Sequence, residues 1–418
     1  MNDPQPPGQA GERWPALAPF RTRSFRYQWP ADLGTAWALE METLILGWYV
    51  LVESGSVVML TLFGALMYVG TLLAPLMGTL ADRLGLRRVL ATMRLAYALL
   101  ASSILWLAAT GRLEPSLVLG VAFVVGLIKP SDIGMRTALV SASVPSAHLV
   151  AAMGISRTTQ DSARIGGALA GAGFMASLGM VSAYVAITML YLLGAWFTWR
   201  SGARQPAPVA GAASPWHDLK EGLQHVWHTP QLRAAMLLAA LVNLCVFPLS
   251  GGLMPYIARD VFLLDQRGLG WLVASFAFGA LLGSVSLSAI GPRLHPARTM
   301  LLACALWHLS LLCLAWPVSL PIAMALYLVA GLNQSLSMVS LAILLMRSSE
   351  ERFRGRVMGV RMLAIYTLPL GLLAAGALIP VIGFRGLVGL YVGLGLLMTA
   401  SIAWVWRREM LSSPAQER

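Results

Sequence analysis

Apolar runs long enough to cross a lipid bilayer recur along the whole of this chain, and no other feature constrains its fold so strongly. Val181 to Trp199, Met300 to Trp316 and Leu387 to Trp406 contain no Asp, Glu, Lys or Arg. Each approaches or reaches the roughly 20 residues that an α-helix needs to span the hydrocarbon core. With 57% hydrophobic and 11% charged residues over 418 positions, the chain has too little polar surface to coat a soluble globule of that size. The formal charge of +12 raises nucleic acid as a partner, but the basic residues form no single domain or stripe, which argues against it. Cys245, Cys304 and Cys313 all sit in apolar segments and form no disulfide framework. Residues 1–30 carry Pro and Arg without an apolar run, so insertion falls to the first span and no cleavable leader is expected.

Apolar length and turn residues together place spans at 31–53, 56–80, 90–110, 116–142, 149–177, 179–200, 232–258, 267–290, 298–316, 320–346, 356–380 and 384–407. The predicted fold is an all-α membrane protein of twelve transmembrane helices in two pseudo-symmetric six-helix bundles, 31–200 and 232–407. An N-terminal tail (1–30), a connecting segment (201–231) and a C-terminal tail (408–418) complete the chain. With these spans the basic residues of the connections gather on the side of the termini. The other side holds just Arg112, Arg259, Arg267 and Arg385, so both termini are expected in the cytoplasm. Within 201–231, Ser214 suits an N-cap and Pro215 a first helical position. Trp216, Leu219, Leu223 and Val226 share one face before Pro230, which predicts a helix lying on the membrane surface. His217, His225 and His228 do not share a face, and no metal site is assigned to them.

Displacing the second half by 205 residues aligns Gly126 with Gly331, Met153-Gly154 with Met358-Gly359, Gly166 with Gly371, and Ala170-Gly171-Ala172 with Ala375-Gly376-Ala377, without a gap. The same offset sets Gly70, Ala74 and Gly78 over Ser275, Gly279 and Gly283. Small residues at every fourth position let helices approach closely in lipid, and parallel repeats of this size build transporters around a midplane site.

Between the second and third spans stands Gly78-Thr79-Leu80-Ala81-Asp82-Arg83-Leu84-Gly85-Leu86-Arg87-Arg88-Val89-Leu90, which resembles the signature loop of the major facilitator superfamily. The segment Ser348 to Gly359 and the glycine-rich Ala163 to Gly171 resemble that superfamily's bacterial efflux branch, which includes enterobactin-exporter-like proteins. The resemblance implies a secondary active transporter of the bacterial inner membrane, an antiporter working without cofactors and as a monomer. It gives Gly78, Asp82, Arg83, Gly85 and Arg87 the role of a conformational latch against the start of the eleventh span. The counterpart in the second half, Gly283 to Arg293, has Leu287 where the aspartate would stand, and Gly167 replaces the proline usual in the fifth-span signature.

Ionisable residues inside spans are costly unless they face protein or water, and here they concentrate in the first half. Glu40 and Glu42 lie in the first span, Lys129, Asp132 and Arg136 in the fourth, and Arg157, Asp161 and Arg164 in the fifth. Asp132 has Lys129 and Arg136 within one turn, and Asp161 has Arg157 and Arg164. The glutamates have no cation on their own helix, which makes them the candidates for proton coupling. They are two residues apart, about 200° around a helix, so one of them at most faces a central cavity. Trp37, Asn243, Asn333, Gln334, Arg361 and Tyr366 are candidates to line that cavity. The predicted function is alternating-access, proton-coupled export of small organic compounds. Uptake or lysolipid flipping by the same fold stays open, and so does a membrane enzyme, although the chain carries no catalytic Ser, His or Cys constellation and no P-loop. Reporter fusions are expected to place both termini and residues 201–231 in the cytoplasm. A periplasmic C-terminus would eliminate the twelve-span topology.

Overall fold

The computed structural model describes residues 15–73, 77, 80, 81, 83–202, 215–290, 294–316 and 318–411, and every regular element among them is helical. Gly78, Asp82, the 203–214 connection with the expected cap Ser214, residues 291–293 and the extreme termini lie outside the described residues, as does the Trp216 side chain. Helix α1 (Arg23–Ser54) begins eight residues before the expected start. The cause is Phe25, which is buried against Val140, Val144 and Ala152 and draws the polar entrance of the helix onto the bundle. Gly55 ends α1 in the left-handed region (φ 61°) with its N–H on Leu51 O. Ser56 then caps α2 (Val57–Leu66), its hydroxyl accepting from Met59 N. The expected second span does not run as one α-helix, for α2 gives way to a 3-10 turn at Val69–Leu73.

Helix α3 (Leu86–Ala109) follows Gly85 (φ 91°), and α4 (Pro115–Ser143) and α5 (Leu149–Arg200) complete the first half. At 52 residues α5 would extend ~80 Å if straight, far beyond a hydrocarbon core of ~30 Å. Gly179 (φ 78°, ψ 177°) breaks it. Trp29 of α1 bonds Thr159, while a methyl on Gly194 would lie 3.4 Å from Ala31 O. Two points 35 residues apart in α5 thus lie at one level of α1, and the chain must reverse between them.

Past α6 (Pro215–His228), the second half is built from α7 (Pro230–Phe247), α8 (Gln266–Ile290), α9 (Pro296–Leu312), α10 (Leu320–Arg347), α11 (Arg354–Ala364) and α12 (Thr367–Val405). A short α13 (Arg407–Leu411) follows. Two π-helical turns, Pro248–Gly252 and Ile257–Val261, extend α7. Gly383 (φ 72°) divides α12 as Gly179 divides α5. Tyr391 donates to Gly371 O at 2.6 Å across that break. Among the described residues nine helical stretches are long and apolar enough to cross a membrane, and the two broken ones are each 55 residues long.

Glycines set how closely the spans approach. A methyl on Gly126 would lie 1.9 Å from Leu66 O, and one on Gly331 the same distance from Phe276 O. Gly166 meets the Trp37 ring of α1, and its repeat partner Gly371 meets Leu244 O of α7. Matched glycines therefore serve matched helix contacts in the two halves. The surface helix α6 lies on α11, where Arg356 Nη1 is 2.7 Å from Glu221 Oε2 and His225 stacks on Phe353 at 4.3 Å. Substituting Gly331→Val forces a side chain into backbone and is expected to lower stability by about 1–3 kcal/mol. Gly120→Ala, with nothing within 4 Å, should leave the melting temperature in detergent unchanged. Equal melting temperatures for the two variants would refute the close packing.

Candidate functional site

A cavity of about 1020 Å³ lies between the two halves. Leu39, Glu40, Thr43 and Gly47 of α1 line it on one side with Phe63, Met67 and Tyr68, and with Lys129, Arg136 and Arg164 of α4 and α5. Phe247, Met254, Phe276, Gln334, Met362 and Leu372 line the other. The walls reach Ala81, Leu86 and Ala138 toward the end of the bundle that carries the termini. Toward the hairpin end the halves meet. Arg259 Nη1 donates to Leu51 O at 2.9 Å. A methyl on Gly47 would touch Pro255 at 3.6 Å, and one on Gly64 would lie 3.1 Å from Leu372.

Ion pairs organise the first-half wall. Glu40 lines the cavity with its carboxylate 4.0 Å from Arg164 Nε, and both side chains are part exposed, at 36% and 47%. Glu42 is buried behind the wall, where Tyr191 donates to its Oε2 at 2.7 Å and its Oε1 has no partner among the described residues. Asp132 is fully buried and pairs with Arg136 at 3.0 Å, while Asp161 pairs with Arg157 at 3.3 Å. Lys129 does not join Asp132; its ammonium donates to Thr43 Oγ1 at 3.5 Å. Arg164 lies beside Glu40 instead of Asp161. Same-helix spacing could not foresee this, because the nearest anion to Arg164 stands on another helix.

A fourth ion pair was not anticipated from the sequence. Arg94 of α3, fully buried, donates to Asp32 of α1, to Thr198 Oγ1 and, at 3.5 Å, to Gly194 O. Asp32 lies at the margin of the first predicted span and Arg94 near the start of the third, positions where a charge ordinarily reaches water. Their signal was present all the same, since Asp32 lies inside an apolar stretch and Arg94 is followed by Leu95, Ala96 and Tyr97.

Of the other predicted cavity residues, Gln334 lines the space. Asn243 and Asn333 are buried between helices, each donating to the carbonyl one turn back (Ala239 O at 2.8 Å, Val329 O at 2.9 Å). Trp37 packs its ring on Gly166, and Arg361 is half-buried on α11 beside Met362. Tyr366 donates to Val69 O at 3.3 Å, bridging the halves. Of the latch residues, Gly85 is buried and Arg83 exposed, with Arg87 between these extremes. Thr43, Tyr68 and the methionines of the wall were not anticipated, because a lone Thr, Tyr or Met in an apolar helix has no distinguishing pattern.

Two helical halves enclosing a half-wet, ion-lined cavity inside an apolar exterior are the architecture of a membrane transporter. The chain belongs to the transmembrane secretion effector family of the major facilitator superfamily, whose model matches residues 14–403. It is therefore a transporter and not an enzyme. Over 215 residues it is 28% identical to the multidrug efflux pump Tap of Mycolicibacterium fortuitum, a match covering 51% of this chain and 49% of that protein. The chain thus spans about half the length of the curated relative it matches. The solved nucleoside transporter NupG has a TM-score of 0.73 at 13% identity, covering 92% of this chain and 100% of that one. The POT family transporter PepTSo has a TM-score of 0.73 at 13% identity, with coverages of 94% and 99%. Identities this low establish likeness of fold alone.

The Asp32 pair makes a sharp stability prediction. Asp32→Asn leaves the Arg94 charge buried and uncompensated, a loss of about 3–5 kcal/mol. Arg94→Met combined with Asp32→Asn should recover most of it. A double variant as unstable as the sum of the two single ones would mean that the two charges do not interact.

Proposed function

We propose that the chain exports small organic molecules across the bacterial inner membrane by alternating access, exchanging them for protons at Glu40. The observation that carries this reading is a carboxylate half-exposed in the central cavity and loosely held, 4.0 Å from Arg164. Such a group is open to water from the cavity, and its protonation releases the guanidinium opposite. The other carboxylates of the first half are poorer carriers. Asp32, Asp132 and Asp161 are closely paired with arginines, and Glu42 lies behind the wall, bonded to Tyr191. Export is favoured over uptake by the efflux activity of the matched relative.

Twelve spans in two halves, 31–200 and 232–407, fit this mechanism, with both termini in the cytoplasm and the chain acting as a monomer. The reversals at Gly179 and Gly383 support the count, since each divides a stretch too long for one crossing. In this arrangement the cavity faces the cytoplasm, and Asp82 is assigned to latch the opposite state at the start of α11. A carboxylate is favoured at a helix N-terminus, and Arg352, Arg354 and Arg356 stand beside it.

The test is flux in proteoliposomes with a panel of fluorescent dyes and an imposed pH gradient. Glu40→Gln should abolish gradient-driven movement yet spare exchange of dye for dye, which needs no net proton transfer. Glu42→Gln should retain gradient-driven flux. Full gradient-driven flux in Glu40→Gln would remove Glu40 from the coupling mechanism.

A further inference from the structure

We propose that the substrate of this cavity is a zwitterionic amphiphile, with an apolar body and, at one end, an ammonium-type cation close to a carboxylate or phosphate. The inference rests on the transport reading above and narrows it to a substrate class. The two walls of the cavity are unequal. Among the described residues the charged groups lining the cavity (Glu40, Lys129, Arg136, Arg164) come from the first half, whereas Phe247, Met254, Phe276, Met362 and Leu372 make the opposite wall mostly apolar, with Ser250 and Gln334 as its polar side chains. A ligand that satisfies both walls must itself be two-faced.

Charge availability then selects the head group. Arg136 is held by buried Asp132, and its side chain is only 7% exposed. Three ions remain for a ligand: Glu40, Arg164 and Lys129. Lys129 donates to the neutral hydroxyl of Thr43, and no carboxylate among the described residues lies within 4.0 Å of its ammonium. It therefore offers an anion site without first breaking an ion pair. Glu40 and Thr43 are three residues apart on α1, hence on neighbouring positions of one helix face and separated by ~4.5 Å of rise. The free ammonium anchored at Thr43 thus stands about one turn from the accessible carboxylate.

A bare cation drawn to Glu40 would meet Arg164 and Lys129 as like charges, and a bare anion drawn to Lys129 would meet Glu40. A head group carrying both signs sets its cation against Glu40 and its anion against Lys129 and Arg164, so each ligand charge gains an opposite partner that offsets the like one, and discrimination is the difference between such sums. The same arrangement yields exchange with the correct sign. A proton on Glu40 removes the partner of the ligand's cation, so proton and substrate compete for one carrier. The groups that set this competition are Arg164 of α5, Lys129 of α4 and Tyr68 beside them, with Glu42 and Arg136 in the field behind.

The test uses three probes that share a dansyl body and differ by one group each: Nε-dansyl-lysine (zwitterion), dansylcadaverine (the same molecule without the carboxylate) and 6-(dansylamino)hexanoate (without the ammonium). Binding is measured by calorimetry on the full chain in lipid nanodiscs. The zwitterion should bind at least tenfold more tightly than either relative. Lys129→Gln should bring it down to the affinity of the cation, and Glu40→Gln to that of the anion. The comparison on the unaltered protein decides the matter even where a variant fails to fold. Cation or anion binding as tight as the zwitterion overturns the substrate class, and so does binding of none of the three. Neither result touches the export reading, which stands or falls on the gradient-driven dye flux described above.

Discussion

A charge placed in hydrocarbon must be neutralised inside the protein or exposed to water, and the first half of this transporter is arranged around that requirement. Away from the span ends that reach the loops, its helices hold the acids Asp32, Glu40, Glu42, Asp132 and Asp161 and the bases Arg94, Lys129, Arg136, Arg157 and Arg164. Three arginine–aspartate pairs fasten two helices together or stiffen a turn. Closely paired charges of this kind contribute little net stability, because desolvation offsets their attraction, but losing one partner is expensive. The Asp32–Arg94 pair fixes α3 against α1, whereas the other two lie within α4 and within α5. That leaves Glu40, Arg164 and Lys129 at the cavity surface, with water available and with geometry loose enough to change.

The second half meets the same solvent by other means. Among the described residues its spans carry few charges, and its helices approach closely through glycine at Gly279, Gly331 and Gly371, as the first half's do at Gly126. In lipid, packing of this kind takes the place of the hydrophobic drive. The two halves thus share a backbone plan while differing in chemistry.

Much of the architecture was legible before any coordinates. Apolar length predicts the helices, and the 205-residue register predicts that Gly166 and Gly371 serve equivalent contacts, as Trp37 and Leu244 opposite them attest. Legibility failed where a residue's partner lies on another helix. Spacing along α5 pairs Arg164 with Asp161, but the helix crossing at Gly167, whose added methyl would lie 2.9 Å from Glu40 Cβ, brings Glu40 nearer. Asn243 and Asn333 look like cavity residues because a polar group in an apolar span needs a partner. Each finds one in its own helix backbone, a solution that leaves no mark in the sequence. Asp32 and Arg94 were hidden by their position near span ends, where a charge ordinarily reaches water.

The tie between the halves at the hairpin end has a particular character. Arg259 binds the main-chain carbonyl of Leu51, which also receives the Gly55 N–H at the C-terminus of α1, the negative end of the helix dipole. A carbonyl has no ionisable proton and is present whatever side chain occupies position 51. That bond is therefore indifferent to the side chain at position 51. A change at position 259, or a bend in the last turn of α1, would loosen that tie whatever side chain stands at position 51.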